Sequence, residues 1–214
     1  MNSLSNAIIS WNAPIVPSCS LAGIPIGLHV EEFRKSLCFY LVDREENLYQ
    51  FDSAPLLQLK HSAKLNDDET FLFNVHDRGM TNWSLYFDTP HHAGANPRAL
   101  AIIIRENRIH AIKVWHFERL KKDQKPKHIY RGKLIENIGL GDLVKDLLPY
   151  TRLQYDEAEE CFYTDEKYGG LEVAGYGDLE DHPDQEIMEL TVISKSAYME
   201  DIGANLNSIQ SSGI

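Results

Sequence analysis

Residues 24–33 read IPIGLHVEEF, and residues 138–147 read IGLGDLVKDL. In each, two apolar residues one apart precede a glycine. An apolar residue stands three positions later, and then come two charges and a large apolar residue. Such a glycine-marked run either cradles a ligand or opens a domain. Pro25 removes an N–H that an anion site would use, and neither G-x-G-x-x-G nor G-x-x-x-x-G-K-[ST] occurs in the chain. Asp142 would repel phosphate at a helix N-terminus. The pattern therefore reads as a domain-opening device used twice.

The residues after each glycine predict a helix and then strands. Val30, Phe33 and Leu37 recur at i, i+3 and i+7, with Glu31, Glu32, Arg34 and Lys35 on the other faces. The acidic pair in the first turn and the basic pair one turn on suit the helix macrodipole. Residues 70–75 and 84–89 carry the aromatic and β-branched side chains of strands. Residues 99–105 and 109–115, joined across 106–108, predict an antiparallel hairpin whose second arm is apolar on both faces and so central in its sheet. Residues 160–164, 170–174 and 186–193 repeat the order after the second run. The expected fold class is α+β: two related units, each a helix packed on a small antiparallel β-sheet. Residues 1–120 would form the N-terminal unit, 121–133 a basic connector, 134–195 a smaller acidic repeat unit and 196–214 a C-terminal tail.

Charge separates the halves. Residues 1–150 carry 18 Lys/Arg against 17 Asp/Glu, and residues 151–214 carry 3 against 15, which together give the net charge of −11. That balance disfavours nucleic acid as a partner, since phosphate binding asks for a basic face. It favours a partner with complementary basic charge. Cys19, Cys38 and Cys161 are odd in number and far apart, which gives neither a disulfide framework nor a zinc site. The N-terminus lacks a basic stretch followed by an apolar run, and no segment approaches the roughly 20 apolar residues that span a bilayer. A cytoplasmic location with no membrane association is expected.

Catalytic patterns are sparse. His76 and Asp77 sit in NVHDRGM, and His91 and His92 in FDTPHHAGANPR. Neither pair has the H-x-x-x-H spacing of a helical zinc site. A small hydrolase or metal-dependent enzyme would need these four residues to converge. No G-x-S-x-G elbow occurs, and no cysteine has the flanks of a known nucleophile. No catalytic residue, metal or cofactor is therefore assigned. The carboxylates are more informative. Asp156 and Glu157 open DEAEE, and Asp178, Glu180, Asp181, Asp184 and Glu186 fill GDLEDHPDQE at 177–186. The second run lacks the D-x-[DN]-x-[DN]-G core of an EF-hand loop, and it falls between two strands, where it would protrude as an acidic docking loop.

The run IVPSCSLAGIPIGLHVEEF resembles a pattern of small bacterial proteins encoded beside polymorphic toxins. It is carried here by Ile15, Pro17, Ser20, Leu21, Gly23, Ile24, Ile26 and Gly27, followed by Glu31 and Glu32. It departs at Ser18, where those proteins usually have glycine, which predicts a looser turn. The resemblance covers about a tenth of the chain. It implies an immunity protein of an effector–immunity pair, as in type VI secretion, with a fold similar to the β-lactamase inhibitor protein. It further implies a cognate toxin domain with a basic cleft as partner, neutralised by occlusion of its active site. An effector chaperone or adaptor is the other binding role that the sequence admits.

Overall fold

The structure, a computed structural model, describes residues 8–65, 68–76, 97–117 and 128–194, with backbone alone for 61–65. The opening run forms a small hairpin of β1 (Ser20–Leu21) and β2 (Ile24–Pro25). Ala22 and Gly23 turn it with φ of 54° and 75°, the left-handed pair that a tight hairpin needs. A Cβ on Gly23 would lie 2.1 Å from the Ile8 carbonyl oxygen. Helix α1 (Val30–Cys38) comes next, as predicted. The His29 ring caps it by accepting from the Glu31 N–H at 3.2 Å. Val30, Phe33 and Leu37 are its buried stripe.

The rest of the first half is a meander of β3 (Leu41–Asp43), β4 (Leu48–Tyr49), β5 (Leu57–Leu65), β6 (Asp68–Val75), β7 (Arg98–Arg105) and β8 (Arg108–Trp115). The second half adds β9 (Gln154–Asp156), β10 (Cys161–Tyr163), β11 (Leu171–Ala174) and β12 (Glu189–Ile193). β7 and β8 make the expected hairpin, turned by Glu106 and Asn107 at φ 49° and 61°. The expected strand at 84–89 lies outside the described residues.

All these strands belong to one ten-stranded antiparallel sheet in the order β3-β4-β5-β6-β7-β8-β12-β11-β10-β9. Two meanders meet where β8 pairs with β12, from Trp115 opposite Glu189 to Ala111 opposite Ile193. This corrects the expected α+β class of two helix-on-sheet units. Among the described residues there is a single α-helix, and one large sheet runs through both halves. The second run, 138–147, yields only a 3-10 turn at Val144–Leu147. Pro149 stops it. A continued helix would draw an N–H from residue 149 to the Lys145 carbonyl, and proline has none and clashes there.

The repeat is nevertheless visible in the backbone, as a repeated clamp rather than a repeated helix. Gly27 N–H donates to Ile109 O (2.7 Å), Ile109 N–H to Leu28 O (2.9 Å) and Val30 N–H to Asn107 O (2.8 Å). In the second copy Gly141 N–H donates to Ile187 O (2.9 Å), Ile187 N–H to Asp142 O (2.7 Å) and Val144 N–H to Gln185 O (3.0 Å). Gly27 and Gly141 take the same left-handed turn, φ 80° and 84°. The first run thus grips the start of β8 and the second the segment that feeds β12, the two strands that join the halves.

One face of the sheet carries the main core. Phe71, Phe73, Leu100, Ile102, Ile112, Val114, Val173, Leu190 and Val192 pack there against Phe33, Leu37, Leu21, Ile24, Ile138, Leu140, Val144 and Leu147. Their alternate neighbours Ala111, Cys161, Tyr163 and Ile193 form a smaller cluster on the opposite face, as period-two strands require. Arg34 Nη2 ties α1 to the sheet, 2.5 and 2.7 Å from the buried Glu69 carboxylate, with its guanidinium over the Phe71 ring. Of the basic stretch, residues 118–127 lie outside the described residues. Residues 128–134 thread the core: Trp11 Nε1 donates to His128 O at 2.8 Å, and the Trp11 and Tyr130 rings meet edge-on. Tyr130 is buried, and its hydroxyl accepts from Ala22 N–H and donates to Ala13 O.

Candidate functional site

The topology brings the two acidic runs to one end of the sheet. β9, β10, β11 and β12 are successive antiparallel neighbours. The β9–β10 and β11–β12 connections therefore leave the same end, and the β10–β11 connection leaves the other. Tyr155 records their proximity. Its hydroxyl is pushed above the ordinary tyrosine range by burial and then by Glu160, Asp178 and Glu157, which come from both connections.

Each acidic connection is held in shape by its own first carboxylate. Asp156 Oδ1 accepts from the N–H groups of Ala158 (2.9 Å) and Glu159 (3.3 Å). Asp178 Oδ1 accepts from Glu180 N–H (2.9 Å). These are Asx turns, which spend the aspartate on its own backbone. Both aspartates are half-buried, while Glu157, Glu180, Asp181, Asp184 and Glu186 are exposed. Gln185 pins the longer loop from beneath. It is buried, its Oε1 accepts from Tyr176 N–H (2.6 Å) and Gly177 N–H (3.2 Å), and its Nε2 donates to Gly177 O (2.8 Å).

The seven carboxylates thus divide by role. Asp156 and Asp178 are structural. Asp184 is paired with Lys145, exposed on both sides. The Glu186 backbone bridges Leu143, leaving its side chain outside. Glu157, Glu180 and Asp181 project into solvent, joined by Glu159 and Glu160. Tyr176, 48% exposed on the long loop, adds an aromatic ring to this acidic end. Sequence patterning alone did not single out Tyr176, although an aromatic residue inside an acidic loop is a usable signal.

The histidine set does not assemble into a described site. His76 is half-buried, with Nε2 3.8 Å from Glu46 Oε2, while Asp77, His91 and His92 lie outside the described residues. Among the described residues no group of three or more His, Cys, Asp or Glu side chains is placed to hold a metal ion. The Cys161 thiol is pushed up to about 12, by burial and then by Glu172, which makes it a poor nucleophile. No described helix is long and apolar enough to cross a membrane. Comparison with protein-family models, curated proteins and solved structures finds no match for this chain.

Proposed function

We propose that this protein is a binding protein, an immunity protein that neutralises a cognate bacterial toxin by covering its active cleft. The observation that carries this reading is the convergence of two acidic loops at one end of a continuous sheet, each braced by internal hydrogen bonds. Preformed loops lose little freedom on binding, so their charge goes to steering and orientation. A toxin cleft lined with Lys and Arg, as in an enzyme acting on an anionic substrate, is the complementary surface.

The test uses the polypeptide encoded next to this chain's gene. Produced alone in a sensitive host it arrests growth, and co-production of this protein restores growth. A neighbour that is harmless by itself removes the proposal. Protection separates immunity from a chaperone role, which requires binding without rescue. Glu180→Lys with Asp181→Lys should slow association at low salt and lose that effect at high salt, where exposed charges are screened.

A further inference from the structure

One group of exposed apolar side chains lies just past the second clamp. The two copies align at an offset of 114 residues, from Gly27 with Gly141 to Phe33 with Leu147, and both Phe33 and Leu147 are buried. The next three positions are Arg34, Lys35 and Ser36 in α1, and Leu148, Pro149 and Tyr150 in the second copy. In the first copy Arg34 clamps Glu69 and Ser36 is buried. In the second, Leu148 and Tyr150 stand 52% and 53% exposed, and Ile135 on the adjoining turn is 96% exposed. Clustered exposed apolar side chains on a fixed turn mark interaction surfaces, and tyrosine is a favoured anchor.

Leu148 and Tyr150 line an open depression of about 590 Å³ together with Glu136, Ile138, Lys145 and Asp146. Its lining is apolar at Ile138, Leu148, Pro149 and Tyr150, acidic at Glu136 and Asp146, and basic at Lys145. Glu136 accepts from the Tyr168 hydroxyl at 2.9 Å, which fixes the carboxylate beside the depression. The cation of the set, Lys145, is paired with Asp184. That pair also links the lining of the depression to the acidic loop at 177–186.

We infer that this depression is the anchor point of the protein interface. It receives an aliphatic or aromatic side chain flanked by lysine or arginine on the partner. The Glu136 and Asp146 carboxylates select the basic flank, and Leu148 and Tyr150 supply the apolar contact that charge alone does not. This inference rests on the reading of the chain as a partner-binding protein, and it relocates the energetic centre from the acidic loops to residues 148–150.

Calorimetric titration with the purified neighbouring gene product tests it, using the full chain. Leu148→Asp and Tyr150→Ala should each weaken binding at least tenfold. Asp146→Lys should weaken it severalfold, more at low salt than at high. Phe39→Asp, an equivalent change at another exposed apolar side chain (72% exposed), should change affinity less than threefold. All four positions are exposed, and matching circular dichroism melts show that the fold is intact. If the wild type binds and Glu180→Lys/Asp181→Lys weakens it while Leu148→Asp and Tyr150→Ala do not, the anchor is elsewhere and the binding role stands. No complex with the wild type removes both. Sedimentation showing a wild-type dimer that Tyr150→Ala dissociates assigns the depression to a second copy of this chain and overturns the inference.

Discussion

Ser18 shows how one residue can keep a turn that its side chain disfavours. It holds φ 58°, the left-handed region that suits glycine, so the looser turn expected from the sequence does not occur. Its hydroxyl compensates by accepting from Gly170 N–H at 2.6 Å, while its own N–H donates to Gly170 O at 3.1 Å. Ser18→Ala keeps the strain and loses the bond, and should lower stability by about 1 kcal/mol. Ser18→Gly trades one for the other and should stay within about 1 kcal/mol of wild type. Urea midpoints of the two variants check this. Asp165 makes a comparable local knot, accepting from the N–H groups of Arg152 (3.1 Å), Lys167 (2.9 Å) and Tyr168 (3.1 Å). The Arg152 N–H, partly offset by burial and then reinforced by those of Tyr168 and Lys167, holds its carboxyl below the usual carboxylate range. A depressed value in the fold means stability that is complete above the unfolded value, about 4, and lost as pH falls through the folded one. The stability advantage of wild type over Asp165→Asn should therefore shrink on acidification below about pH 4, and urea titrations across that window measure it.

At the scale of elements, the two clamps offer a matched experiment. Gly27 and Gly141 share the left-handed turn, but an added Cβ at 27 meets nothing within 4 Å, whereas at 141 it meets the His116 ring at 3.2 and 3.3 Å. Gly27→Ala should cost about 1 kcal/mol, the backbone penalty alone, and Gly141→Ala should cost more; equal urea midpoints would contradict this. These clamps also show what was legible in the sequence. The apolar–X–apolar–Gly pattern found both, and the i, i+3, i+7 stripe found α1. The run of residues 109–115, apolar on both faces, found a central strand. The second helix failed because the apolar spacing at 138–147 says nothing of Pro149, just beyond that window. The single sheet was hidden for a different reason. Alternation shows that β8 and β12 are strands, but not that Trp115 lies opposite Glu189, which is set by packing across the whole core. The acidic loops were visible as composition, although their spacing did not separate the aspartates that cap turns from the glutamates that project.

At the scale of the molecule, the β8–β12 seam and the shared core on one face couple the halves. Unfolding followed by tryptophan fluorescence, which reports Trp11 and Trp115 within the described residues, should coincide with unfolding followed by far-ultraviolet circular dichroism. Separate midpoints would show that the seam transmits little. Ends of the sheet are guarded by shortness: β3 and β9 are three residues each and carry Asp43 and Asp156, which limits pairing with another chain.

The clamps also set an order of events in time. Gly27 and Ile109 are 82 positions apart, and Gly141 and Ile187 only 46. Ring closure over the longer span is disfavoured by roughly 0.5 kcal/mol of chain entropy, and it must await the whole first meander. The later-synthesised clamp should therefore close first during refolding. Pulse-labelled hydrogen exchange would then protect the amides of Gly141 and Ile187 before those of Gly27 and Ile109, making the C-terminal half the nucleus on which the N-terminal half is completed.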